Sequence, residues 1–392
     1  MAHIFSIPQN IVTGTDAVRM SMDLMRGYGK KVLIVTDKHM VSIGNVKLLT
    51  DELDKISIKY EIYPGINAEP TDIMIDEGVK TYTNSQCEFL IGIGGGSPID
   101  AMKAIGAVVT NGGSIRDYQG KKIEHRLPPT VAIPTTAGTG SEATKVSIIT
   151  NTKTGVKMLL SSARLMANLA VIDPVFTLTL PPAVTVSTGV DALTHAIEAY
   201  TSLKAFQMTD LYATSAIRKI FDNLYEVYKH GDNIQARREM AIAALEAGIA
   251  FSNASVTIVH GMSRPIGALF HVPHGDSNAM LLNVCLKFVQ QGAQERLCDL
   301  AKAIGVYRPG MRITEGADAF VTATIALLRT LDVKTIQDFD VDQKVYFSQI
   351  QKMTQDALDS GSPANTRRTP SAGDIETLYK DLWVEGLYRA VI

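Results

Sequence analysis

The chain has 392 residues, with 38 Lys+Arg against 40 Asp+Glu, and is 46% hydrophobic and 20% charged. That profile predicts a soluble globular protein with a sizeable core, long enough for two domains. A net charge of -2 with no basic stripe argues against nucleic acid as a partner.

No apolar run approaches the roughly 18 residues that a membrane span needs, so no membrane partner is expected. The opening MAHIFSIPQN lacks a charged n-region followed by an apolar stretch. Cys87, Cys285 and Cys298 are widely spaced and form no CxxC pair, which fits a reducing compartment. A cytoplasmic location is expected.

In chain order, short β-rich runs occupy residues 31–37, 58–65, 89–96, 130–136 and 168–174, with helical patterns over 41–56, 71–86 and 97–109 between them. Most of the runs are almost unbroken apolar sequence, as strands buried on both faces of a parallel sheet require. ATKVSIIT and GVKMLLSS flank the turn NTKTG and predict an inserted hairpin. After Pro181 and Pro182 the pattern turns helical, with stretches such as REMAIAALEAGIAF. The expected fold is therefore an α/β domain with a mostly parallel sheet over 1–182 and an all-helical domain over 183–392. Residues 360–374 read as the one long loop.

FLIGIGGGSPID places Gly94, Gly95, Gly96 and Ser97 between a strand and a helix. Glycines there allow close backbone approach to a pyrophosphate at a helix start. The match to GxGxxG is partial, since Ser97 stands where the third glycine should be, and an ordinary βα turn reads equally well. Asp37 ends its strand, where a carboxylate can accept from an adenosine ribose and repel a 2′-phosphate, or merely cap a helix. TTAGTGSEAT (135–144) closes another strand with small and hydroxyl residues. Three such signals at strand ends favour a dinucleotide site.

Asp191 and His195 lie four apart in DALTHAIEAY, so on a helix they share one face and can clamp one cation. Glu198 lies on that face and can orient a ligand histidine. VHGMSRPIGALFHVPHG then carries His260, His271 and His274, three of the eight histidines in the chain. A carboxylate with imidazoles suits Fe²⁺ or Zn²⁺. Spacing leaves open which two of the three would bind.

GGGSPID, TTAGTGSE, the lysine of GVKM, VIDP, TGVDALTHAIEAY and VHGMSRPIGALFHVPHG resemble, in order and spacing, the iron-containing (group III) alcohol dehydrogenase family. The resemblance spans essentially the whole chain and implies a dehydroquinate synthase-like architecture. It makes Asp191, His195, His260 and His274 the metal ligands. It puts Gly94, Gly95, Gly96 and Ser97 on the pyrophosphate, Asp37 at the adenosine end, and Thr135, Thr136, Thr139 and Lys157 beside the nicotinamide.

The activity so implied is hydride transfer between NAD (or NADP) and a small primary alcohol, diol or aldehyde, assisted by Fe²⁺, Zn²⁺ or another divalent ion, in a homodimer or larger homo-oligomer. Three positions depart from the family's pattern. Arg264 replaces a histidine common four residues after the third ligand, which leaves His271 as the candidate proton relay. Glu69 stands where asparagine is frequent, and Asn283 ends a common Leu-Leu-Pro. The rival readings are a zinc-dependent glycerol-type dehydrogenase or dehydroquinate synthase-like lyase, and a non-catalytic nucleotide-binding protein. With Lys157 and Arg264 as the clearest cations near the motifs, an uncharged substrate is favoured.

Overall fold

A computed structural model describes residues 2–389, with side chains to Glu385. The chain divides into two compact units: one runs from Phe5 to Leu180, and the other takes Pro181 onward together with the residues up to Ile4.

The first unit is built on six strands: β1 (Asn10–Thr13), β2 (Lys31–Val35), β3 (Lys59–Tyr63), β4 (Phe89–Gly94), β5 (Thr130–Pro134) and, after the hairpin β6 (Val146–Asn151) and β7 (Val156–Ser161), β8 (Leu169–Ile172). The sheet order is β1-β8-β5-β4-β2-β3, and every neighbouring pair is parallel. Alternate residues of one strand serve opposite faces. Val32 and Ile34 of β2 pack with Phe89, Leu49 and Leu53, while Leu33 and Val35 pack with Ile75, Ile99 and Ile105. All ten are fully buried. Each such side chain contributes about 1.5–3 kcal/mol through burial.

Helices α1 (Ala17–Arg26) and α3 (Asn45–Lys55) supply the first layer, α4 (Asp72–Asn84) and α5 (Gly96–Asn111) the second. The helical pattern over 41–56 resolves into α2 (Lys38–Ser42) and α3, broken at Gly44, whose φ of 86° is left-handed. Strand β1 is an addition to the five runs read from the sequence. It is an edge strand of four residues, none of them fully buried, so it lacks the apolar run that marks the others.

The second unit is helical: α6 (Pro182–Thr201), α7 (Gln207–Lys229), α8 (Ile234–Ala254), α9 (Ile258–Phe270), α10 (His274–Gln290), α11 (Gln294–Ala303), α12 (Ile313–Thr330), α13 (Gln343–Asp359) and α14 (Ala372–Arg389). Pro182 sits in the first turn of α6, where a missing N–H costs nothing. The stretch 360–374 contains a short 3₁₀ turn, Pro363–Asn365, before α14 begins.

Candidate metal centre and cofactor site

Helix α6 carries Asp191 and His195 one turn apart, and α9 and α10 bring His260 and His274 to the same place. Four ligand atoms from these side chains lie within 4.8 Å of one another. Asp191 Oδ1 is 3.8 Å from His260 Nε2 and 3.9 Å from His274 Nε2. Four donors about 2.1 Å from one ion stand about 3.4 Å apart in a tetrahedron, so a small contraction suffices. Asp191, His195 and His260 are buried, whereas His274 leaves 45% of its side-chain surface open to solvent. Gly275 lets α10 start this close to α6: a Cβ there would lie 2.7 Å from the Ser187 carbonyl oxygen.

The surrounding groups fix the ring orientations. Glu198, one turn beyond His195, accepts from Thr257 Oγ1 at 2.8 Å and from the Val259 N–H at 2.7 Å, and its other oxygen pairs with His260 Nδ1. That pairing leaves His260 Nε2 as the lone pair facing Asp191. Burial pushes the Glu198 carboxyl up, opposed by these hydrogen bonds, and pulls the His260 imidazole well below its ordinary value. A neutral imidazole is the form that binds a metal. The rings of His195 and Phe251 stack with centroids 4.1 Å apart.

Asn278, one turn after His274, was not singled out from the sequence. Its Nδ2 lies 2.7 Å from Asp191 Oδ1 and 3.1 Å from both His260 Nε2 and His274 Nε2. Three lone pairs thus converge on an amide that has two N–H groups. Converging, incompletely satisfied lone pairs from one carboxylate and several imidazoles fit a divalent cation.

In the first unit, the connection leaving β2 runs to one side of the sheet and the connection leaving β4 to the other, so the chain reverses between them. Dinucleotides bind at the carboxyl ends of strands beside such a reversal. A cavity of about 440 Å³ lies here, lined by Asp37, Lys38, His39, residues 66–68, Gly95, Gly96 and Ser97. Gly94 has φ of 149° and packs against Pro98, whose Cγ would be 2.6 Å from an added Cβ, so the turn into α5 requires glycine. Asp37 Oδ1 accepts from the Met40 N–H at 2.8 Å, capping α2, and leaves its second oxygen for the cavity.

The hydroxyls of Thr135 and Thr136 are buried without a hydrogen-bond partner among the described residues, an arrangement that a ligand amide would relieve. Thr139 Oγ1 accepts from the Ser141 N–H at 3.3 Å. Lys157 points its ammonium at Glu69, 2.6 Å away. The loop is tied to the glycine-turn helix by two residues absent from the sequence reading. Lys103 Nζ donates to the carbonyls of Ser141, Thr144 and Val146 at 2.6–3.0 Å, and Asp100 binds the Ser141 hydroxyl. Their i,i+3 spacing on α5 was the available signal.

His271 is the left-handed C-cap of α9, with φ of 57°, and is exposed. No hydrogen bond, ion pair or ring contact joins it to the four clustered side chains among the described residues. Arg264 lies one turn after His260 on α9.

Comparison with known proteins places the chain in a family. The profile described as iron-containing alcohol dehydrogenase matches residues 8–174, and that family's C-terminal profile matches residues 185–383. A 1,3-propanediol dehydrogenase of Klebsiella pneumoniae is 35% identical over 356 residues, covering 90% of this chain and 91% of that protein. An NAD-dependent methanol dehydrogenase of Bacillus methanolicus is 33% identical, covering 96% and 99%. The crystal structure of a 1,3-propanediol oxidoreductase superposes with a TM-score of 0.94 at 33% identity, covering 97% of this chain and 100% of that one.

Proposed function

The chain belongs to the iron-containing alcohol dehydrogenase family, a group of metal-dependent oxidoreductases, and from that premise we propose a specific division of labour among its residues. Asp191, His195, His260 and His274 hold a divalent ion, Fe²⁺ by preference, with Zn²⁺ as the alternative. The cavity between β2 and β4 takes NAD: α5 receives the pyrophosphate on the backbone of Gly95, Gly96 and Ser97, and Asp37 accepts from the ribose. Thr135 and Thr136 hold the nicotinamide amide, with Thr139 and Lys157 beside it. On this reading, residues 1–182 serve as the dinucleotide-binding domain and 183–392 as the metal and substrate domain.

The substrate is a small primary alcohol or diol, or the corresponding aldehyde in reverse. A divalent ion supplies Lewis acidity toward the alcohol or carbonyl oxygen, and NAD supplies the hydride acceptor. The protein's share is to hold donors in place before substrate arrives. Glu198 keeps His260 in one tautomer, and Asn278 can brace Asp191, whose carboxylate has lone pairs to spare. The α5 turn and the threonine loop, joined through Asp100 and Lys103, keep the two ends of the cofactor in register.

The observation that carries this reading is the convergence of one carboxylate and three imidazoles within 4.8 Å. His260→Ala and His274→Ala are each expected to lose most bound metal and nearly all NAD-linked activity while remaining folded by circular dichroism. Full metal occupancy in both variants, measured by mass spectrometry, sinks the assignment.

A further inference from the structure

Arg264 is a cation without a counter-ion. It is partly buried on α9, and no hydrogen bond or ion pair joins it to any described residue. It sits one turn after His260, about 6 Å further along the helix axis, on the face that carries that imidazole. Its charge acts on both His260 and His274. The one anion that acts on it in return is Glu198, whose two oxygens already accept from Thr257, Val259 and His260. Its stem is sheltered while its guanidinium nitrogens still reach solvent, so an incoming anion meets a charge that no protein carboxylate has paired, on a group that stays protonated at any working pH. Other arginines of this unit that are similarly sheltered have acceptors: Arg296 binds Asp210, and Arg237 donates to Thr185 and the Gly231 carbonyl.

We propose that Arg264 is the specificity-determining residue of the substrate site and that the substrate carries a carboxylate or sulfonate a few carbons from its hydroxyl or aldehyde group. The proposal rests on the dehydrogenase reading above and narrows it. It also revises the expectation of an uncharged substrate. A planar fork of N–H groups matches both kinds of oxyanion. The spacing of about one helix turn between His260 and Arg264 suits a short acid of about two to four carbons.

Two matched substrate pairs test the idea on the full-length, metal-loaded enzyme with NAD: 3-hydroxypropanoate against 1,3-propanediol, and 2-hydroxyethanesulfonate against 1-propanol. The first pair reads carboxylate, the second sulfonate. The wild type is expected to favour the anion in at least one pair by roughly 10-fold or more in kcat/KM, as a charge-assisted contact provides. Arg264→Gln should lower kcat/KM for that anion by about 10- to 100-fold, with the neutral partner little changed. Arg264→Lys should fall between.

Calorimetry with propanoate and propanamide gives a readout independent of turnover, with propanoate binding lost in Arg264→Gln. Preference for the neutral member of both pairs, or an equal loss on both members in Arg264→Gln, overturns the proposal. If the wild type oxidises none of the four compounds, the dehydrogenase reading is what fails. Calorimetry then still decides whether Arg264 binds an organic anion.

Discussion

The Glu198 carboxylate pairs with His260 Nδ1, and this bond turns the imidazole's Nε2 toward Asp191 Oδ1, 3.8 Å away. The carboxylate has two accepting oxygens, and both are in use: Oε1 takes Thr257 and Val259, and Oε2 takes His260. Glutamine can accept at one oxygen only and would face His260 Nδ1 or Val259 with an N–H group. Glu198→Gln is therefore expected to weaken metal binding by about 10- to 100-fold, as loss of an outer hydrogen bond to a ligand histidine does. Competition with a chelator of known affinity measures it. An unchanged metal affinity would show that Glu198 serves only the fold.

The proposed cofactor site makes a coenzyme prediction through Asp37. Its Oδ1 caps α2 and its second oxygen borders the cavity, where a 2′-phosphate would meet a negative charge. NAD is expected to exceed NADP in kcat/KM, and Asp37→Gly should narrow the gap. Glycine is a tolerable N-cap, so the variant should lose only a few tenths of a kcal/mol. Lys38 and His39 line the same cavity and would then favour the phosphate. A wild type that prefers NADP refutes the assignment of Asp37.

Glu142 gives a pH prediction. Burial pushes its carboxyl up to about 7, with Lys103 pulling the other way, and Oε2 has no partner. A carboxyl raised in the folded state contributes fully below its unfolded pKa near 4.5, and that contribution drains away as pH climbs through 7. Glutamine has no such dependence. Stability of Glu142→Gln relative to wild type should therefore rise between pH 5 and pH 8, by up to about 3 kcal/mol. Urea unfolding at the two pH values tests it, and a constant difference would mean that Glu142 keeps an ordinary carboxyl pKa.

Much of this was legible in the chain. Apolar runs marked the buried strands because a parallel sheet covers both faces of each strand. Asp191 and His195 announced themselves through i,i+4 spacing on one helix. The choice between His271 and His274 was not legible from spacing. It depends on where α9 ends and α10 begins: His271 is the cap of one helix, His274 the first residue of the next, with Pro273 between. Asn278 escaped notice for the same reason, since its face is defined only once that helix start is known. The buried hydroxyls of Thr135 and Thr136 depend on loop packing that no periodicity encodes.

His271 is the candidate for proton relay, and its position makes the test sharp. Its imidazole is exposed at the end of α9, in a left-handed conformation that histidine tolerates better than β-branched residues do. An exposed ring is in reach of water, and an imidazole has two nitrogens through which a proton can be handed on. It lies three residues before His274, the most open member of the metal cluster. If protons leave the reaction through it, His271→Ala should lower kcat by roughly 10²-fold, the low end of general acid–base effects. Metal content should stay the same, and the acidic limb of the pH–rate profile should flatten. His271→Asn separates the relay from the cap, because asparagine also accepts the left-handed conformation yet cannot titrate. A relay requires both variants to fail alike. Wild-type turnover and an unaltered pH profile in His271→Asn would assign the residue to ending the helix and nothing more.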